Sequence, residues 1–254
     1  NTPSVFNASL NFRQFWNGRA DTLEAQIHEV VQSPSEMGSN WEHVVQTLSA
    51  DPAYQASFAN AYPDGVTMTN VQNALATYER TLLSSNSRFD QYLLGDTDIL
   101  TREEKYGYQR FKEYGCIACH QGVNIGGNMF QKFGVMGDYF QFRGLAVESD
   151  LGRYLVTRDE EDRNVFKVPS LRNVAVTAPY MHNGGLATLR DVLQHYSELN
   201  EERLHADGEK LLRALKLSDA ETEDLLAFLN TLTDKHGADR PRPVPLYVDC
   251  DATF

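Results

Sequence analysis

The stretch LTREEKYGYQRFKEYGCIACHQGVNIGG, residues 100–127, decides how this chain is read. At its centre stands Cys116-Ile117-Ala118-Cys119-His120, two thiols with two residues between them and an imidazole directly after. This is the pattern of covalent haem attachment, in which each cysteine forms a thioether and the histidine supplies an axial iron ligand. A structural zinc site would require four protein ligands, and no other cysteine lies nearby. Upstream, Thr101 and Glu104 make a capping box, so a helix is expected to run from there into the motif. The motif names one axial ligand and leaves the opposite one open.

Working outward, 254 residues suffice for one large or two medium domains, and two are expected. Lys and Arg number 23 against 35 Asp and Glu, a net charge of −12. That balance argues against a nucleic-acid partner and against a polybasic membrane patch, and suits a basic soluble partner. No apolar run approaches the ~18 residues of a membrane span. The chain starts at Asn1 without a methionine or a leader, and so reads as a mature or truncated product. Haem is attached covalently on the outer side of the bacterial cytoplasmic membrane, so the periplasm is the expected compartment. The third cysteine, Cys250, lies in the proline-rich tail and is expected to be an inert thiol.

The rest of the pattern is helical. DTLEAQIHEVVQS is expected to open with an acidic cap at Asp21, and DPAYQASFANAY with Asp51 as cap and Pro52 in the first helical position. TNVQNALATYERTLL places Val71, Ala74, Leu75, Tyr78 and Leu82 on one face. In LSDAETEDLLAFLNTLT, Ser218 and Glu221 form a second capping box, followed by the stripe Leu225, Phe228, Leu229 and Leu232. Residues 121 to about 175 lack periodicity and read as a loop wrapped over a cofactor, whereas the end from about Lys235 reads as an extended tail. The fold class is therefore all-α.

Candidates for the second axial ligand are Met129, Met136, Met181, His182, His195 and Tyr196. Neighbouring helical residues point about 100° apart, so His195 and Tyr196 cannot both face one haem. Leu189, Val192, Leu193 and Tyr196 share the apolar stripe of TLRDVLQHYSEL, and His195 falls on the polar side with Asp191 and Glu198. Tyr196 thus faces inward, either as a packed ring with its hydroxyl hydrogen-bonded or as a ligand. Glu36 in a Pro/Gly/Ser loop and Trp16 read by themselves as a solvated carboxylate and an aromatic anchor. His28, His43, His205 and His236 carry no partner pattern.

NTPSVFNASLNFRQFWNGRADTLEAQI, QSPSEM, NSRFDQYLLGD, the quoted haem stretch and FKVPSLRNVAVTAPYMHNGGLATLRDVLQHY together resemble the bacterial dihaem cytochrome c peroxidase family, which includes the MauG enzymes. The likeness runs from Asn1 to about Leu232. It implies two cytochrome c-like helical domains: residues 1–98 as the remainder of the first, peroxidatic domain, and 99–234 as the second. The first domain's CxxCH would lie upstream of Asn1. His120 would then hold the electron-transfer haem, with a second haem c on the upstream part. By the same resemblance Trp16, with Phe15 beside it, corresponds to the tryptophan between the haems. Glu36 and Gln26 correspond to residues on the distal side of the peroxidatic haem, the carboxylate moving a proton. Asn1, Thr177 and Pro179 correspond to a calcium site, the latter two through backbone carbonyls. Val30 departs from the proline that many relatives carry. Tyr196 stands where the family's peroxidases place a methionine ligand and MauG a tyrosine.

The implied function is peroxide-dependent oxidoreduction. The expected partners are hydrogen peroxide and either a small donor cytochrome or cupredoxin or, leaning to MauG, a protein substrate; a homodimer is compatible. Expressed alone, this chain is expected to be inactive. The alternative is a monohaem c-type electron carrier.

Overall fold

The computed structural model describes residues 1–133, 147–197 and 215–234, so Met136, His205, His236 and Cys250 lie outside the described residues. The first block comprises α1 (Leu23–Gln32), α2 (Trp41–Ala50), α3 (Pro52–Ala61) and α4 (Met68–Thr81). Each helix begins where a side chain accepts an otherwise orphaned N–H: Asn40 for α2, Asp51 with Pro52 behind it for α3, and Thr67 for α4. For α1 the cap is Thr22 rather than Asp21: the Thr22 hydroxyl accepts from Ala25 N–H, and the Asp21 carboxylate pairs instead with Arg13. Leu23, Ile27 and Val31, four residues apart, bury one face of α1 against α4 and join Trp41, Phe58, Val71 and Ala76 in a single core.

The stripe expected on α4 is only partly the buried one. Val71 is inside, but Leu75 and Tyr78 are 44% and 46% exposed. The helix is rotated so that Asn70, Gln72 and Ala76 face inward, because Gln72 hydrogen-bonds His28 at 3.0 Å and Asn70 reaches the Asp64 carboxylate and the Gly65 carbonyl, both at 2.8 Å. Polar partners on α1 and in the preceding turn outweigh the apolar pattern here.

The second block contains α5 (Arg88–Leu93), α6 (Arg102–Glu113), α7 (Tyr154–Thr157), α8 (Leu189–Ser197) and α9 (Asp219–Thr231). Both capping boxes form as expected, Thr101 with Glu104 on α6 and Ser218 with Glu221 on α9. Leu225, Phe228, Leu229 and Leu232 are all buried, at roughly 1.5–3 kcal/mol each, and meet Phe89, Leu100, Phe111 and Leu193 in the second core. The loop region also holds an element too short for periodicity to disclose, a two-stranded antiparallel ribbon of β1 (Phe130–Lys132) and β2 (Val165–Lys167).

A polar network joins the blocks. The Asn7 amide donates to Ser84 Oγ at 2.5 Å and accepts from Ser84 N–H at 2.9 Å, while Asn173 donates to the same hydroxyl at 2.8 Å. Nearby, Arg172 makes a two-pronged pair with Asp90 at 2.8 and 2.9 Å, with side chains 8% and 12% exposed. Burial by itself would raise the Asp90 carboxyl, but hydrogen bonds from Arg172 and Ser87 hold it below the ordinary carboxylate value. Because the folded value is depressed, this stabilisation is present above the unfolded pKa of about 3.9 and is lost as pH falls through the folded one. Arg172→Met is expected to cost roughly 3 kcal/mol at pH 7 by stranding the Asp90 charge, and to flatten the acid limb of the stability curve. Urea titrations between pH 7 and pH 3 measure both effects.

Candidate functional site

α6 delivers the chain to the haem-attachment motif. Its C-terminus is closed by Tyr114, and Gly115 takes a left-handed conformation that turns Cys116–Ala118 into a short 3-10 turn. The His120 N–H bonds to the Cys116 carbonyl at 2.9 Å, so the motif forms one compact loop carrying both sulfurs and the imidazole. The cysteines are not joined in a disulfide. Among the described residues no three His, Cys, Asp or Glu side chains converge as a metal-ion site, so the two thiols and the ring are not arranged as a tetrahedral set.

The environment of each group suits the haem reading. Burial pushes the His120 ring down to about 4, although the backbone at Ile125 and Pro169 favours its protonated form, so the imidazole is neutral at physiological pH. Its Nδ1 is buried and has no hydrogen-bond partner within ordinary geometry. Gly126, with φ +127°, lets the Pro169 carbonyl approach this ring: a Cβ there would stand 3.3 Å from His120 Nδ1 and would collide with the Pro169 oxygen. A ligating histidine ordinarily turns its other ring nitrogen to a carbonyl, and the Pro169 backbone is the group beside His120 Nδ1. Burial also raises the Cys116 thiol to about 11, with Cys119 adding to the shift. The Cys116 thiol is therefore not an activated nucleophile.

Tyr196 lies across from the two cysteines on α8. The side chain is half-buried, and its hydroxyl is pushed up to about 12, first by burial and then by the nearby Cys116 and Cys119 sulfurs. Eighty residues of sequence separate this hydroxyl from Cys116, and the fold brings them together. Such a phenol stays protonated unless a strong local charge ionises it, which a ferric ion would do. The His195 ring centroid is 5.5 Å from that of Tyr196. Of the other candidates, His182 is engaged elsewhere through its side chain. His182 Nε2 pairs with Asp150 Oδ1 at 2.8 Å and its ring stacks on Phe166 with centroids 4.4 Å apart. Met181 and Met129 are held through their backbone, the Met181 carbonyl accepting from the Asn1 amide at 3.1 Å and the Met129 carbonyl, just before β1, from Val168 N–H at 3.0 Å.

Trp16 sits at the junction of the blocks. Its Nε1–H donates to the Asn1 carbonyl at 2.7 Å and its own carbonyl accepts from Lys167 N–H at 2.8 Å. Phe15 beside it has φ +64° and lies under the Arg19 guanidinium, 3.3 Å from Cζ to ring centre. The Asn1 amide faces the carbonyl oxygens of Pro179, at 2.7 Å, and Met181. The Asn1 ammonium donates to the neighbouring His182 carbonyl at 2.9 Å, so Asn1 gathers three backbone oxygens of this loop. Thr177 is close in sequence, its hydroxyl donating to the Val174 carbonyl at 3.3 Å. Gln26 is half-buried on α1 and Glu36 is exposed on the loop after it, with no hydrogen bond joining the two. Val30 is half-buried on the same helix.

The structure adds residues that sequence reasoning did not single out. Asp150, the partner of the candidate His182, and Lys167 carry no short motif. Gly126 had a signal in the Gly126-Gly127 doublet so close after His120.

A solved MauG-like protein associated with microbial copper homeostasis has the same fold, with TM-score 0.84 and 31% identity over 95% of this chain and 77% of that one. A family profile described as di-haem cytochrome c peroxidase matches residues 1–98. The chain belongs to the dihaem cytochrome c peroxidase and MauG family. Within that family, it is 38% identical over 233 residues to the Escherichia coli cytochrome c peroxidase Ccp, covering 91% of this chain and 47% of that protein. It is also 38% identical over 234 residues to the Nitrosomonas europaea cytochrome c551 peroxidase, covering 92% and 65%. The chain thus spans about half of the first relative and just under two thirds of the second. The family is one of haem c oxidoreductases. Among the described residues no helix is long and apolar enough to cross a membrane.

Proposed function

We propose that this chain is the electron-transfer side of a periplasmic dihaem enzyme that uses hydrogen peroxide, with a tyrosine-ligated haem of the MauG type. The observation that carries this reading is the place of Tyr196, half-buried on α8 with the Cys116 and Cys119 sulfurs close enough to act on its hydroxyl. Haem c, when bound, supplies one-electron redox chemistry and, on the upstream part of the protein, the place where peroxide reacts. Cys116 and Cys119 anchor it through thioethers, His120 offers a neutral nitrogen, and Tyr196 offers a phenolate oxygen. A phenolate is a hard anionic donor that favours Fe(III) and higher oxidation states, whereas a thioether favours Fe(II). The tyrosine therefore suits shared oxidising equivalents and a protein substrate better than electron uptake from a small cytochrome or cupredoxin.

In this reading Trp16 provides the aromatic bridge between the two haem sites, its indole held by the Asn1 carbonyl. Glu36 takes up and returns a proton at its carboxylate oxygen while peroxide reacts, with Gln26 alongside and the upstream part completing that pocket. Glu36→Gln in the full-length protein should lower peroxide turnover by about 10²–10³-fold with both haems retained. A pyridine haemochrome count with a peroxide assay measures this. Two haems per full-length chain and turnover lost in the variant support the reading. One haem per full-length chain without turnover would leave a monohaem electron carrier.

Calcium joins the blocks through Asn1, Thr177 and Pro179 in the same proposal. Chelation should then lower the melting temperature, since a ligand at a hundredfold excess over its dissociation constant contributes about 2.7 kcal/mol. An unchanged melting curve and haem spectrum after chelation would remove calcium from the account.

A further inference from the structure

Lys167 is the buried charge that the roles above leave unexplained. It is 5% exposed on β2, opposite Phe130 on β1, and its backbone N–H is fastened to the Trp16 carbonyl at 2.8 Å. Side chains alternate along a strand. Phe166 turns to one face and stacks on His182, so Lys167 turns to the other, shared with its cross-strand partner Phe130. That face abuts the Trp16 loop: Phe130 packs on Phe12 with ring centroids 4.9 Å apart, and a Cβ on Gly18 would collide with its ring. The Arg153 guanidinium also lies over Phe130, at 4.1 Å, so the surroundings already hold one cation. Among the described residues no carboxylate, hydroxyl or carbonyl meets Lys167 Nζ. Desolvation lowers its pKa to about 8, which still leaves it largely charged at neutral pH. A lysine held only 5% exposed, with no counter-ion among the described residues, gives up hydration that nothing there replaces, and the fold retains this one at the bridge between the blocks.

We propose that Lys167 is a positioning residue whose ammonium holds a haem propionate carboxylate at the Trp16 junction. This rests on the reading that the chain binds haem c. The propionate comes from the haem on Cys116, Cys119 and His120 or from the haem on the upstream part, and the experiment separates the two. Spectroelectrochemical titration of the full-length dihaem protein reads both couples, for the native protein and for Lys167→Met, Lys167→Gln and Lys167→Arg. Loss of the positive charge should favour the ferric form of the partner haem about tenfold, a fall of about 59 mV, in both the Met and Gln variants. The Arg variant should keep the native potential. Whichever couple moves identifies the haem that Lys167 holds. If neither couple moves by more than about twofold in either neutral variant while covalent haem content is unchanged, the proposal is overturned. Absence of covalent haem from the native protein would instead overturn the haem reading itself, and the proposal with it.

Discussion

With Tyr196 as the proposed ligand, Tyr196→Met should raise the reduction potential of the haem proposed on His120 by on the order of a few hundred millivolts, within the ~0.8 V over which axial ligands tune haem iron. The exchange replaces a hard anionic oxygen with a soft neutral sulfur, which relatively stabilises Fe(II). Methionine is flexible enough to fill the same desolvated space on α8. The companion Tyr196→Phe removes the donor atom and keeps the ring, so the iron should become five-coordinate, acquire a high-spin spectrum and bind cyanide. His195→Ala, one residue along and about 100° around the helix, should leave spectrum and potential nearly unchanged. Redox titration with electronic and EPR spectra of these three variants measures the effect. Native spectra and potentials in both Tyr196 variants would remove Tyr196 from the iron and with it the lean to the MauG side of the family.

Gly107→Ala should destabilise the protein by roughly 2–4 kcal/mol, against the gain of about 1 kcal/mol that the same change brings in an ordinary helix interior. Gly107 lies on α6 where that helix crosses α9. A Cβ there would run into the Asp224 carbonyl and stand 2.7 Å from Phe228 Cβ. Neither atom belongs to a flexible side-chain end, so the helices must separate. Their separation would loosen Phe228, which packs with Phe89, Tyr108 and Phe111 at ring distances of 5.1, 5.3 and 5.1 Å. The Arg110 pairs with Glu221 and Asp224, at 2.9 and 3.1 Å, span the same crossing and would lengthen. For a chain of this size the melting temperature should fall by roughly 5–15 °C. A variant that melts at or above the native temperature would show that the crossing can open without cost.

Both predictions turn on contacts between residues far apart in the chain, and here local reading and tertiary structure divide. The haem-binding loop, the Asp51–Pro52 start, the two capping boxes and the Leu225–Leu232 stripe are legible because each depends on partners within about one helical turn. Rules of spacing describe such groups completely. At α1 the same rule was one residue out, because Asp21 and Thr22 are both capable caps and an Arg13 side chain from outside the helix drew Asp21 away. On α4, periodicity identified a face but not its neighbour, so Leu75 and Tyr78 lie outward while Gln72 and Asn70 turn in to their partners.

By its sequence alone this protein was determined to be helical, to carry a covalent haem motif at Cys116–His120, and to resemble a family whose relatives and solved structures agree with that reading. Tertiary structure alone decided that His182 pairs with Asp150, that Gly107 must have no side chain, and that Lys167 lies buried beside Trp16. The reason is physical. Caps and attachment loops are short-range geometry, set by a few dihedral angles. Burial and its effects on charge depend on what the rest of the chain brings within a few ångströms, and no local spacing records that.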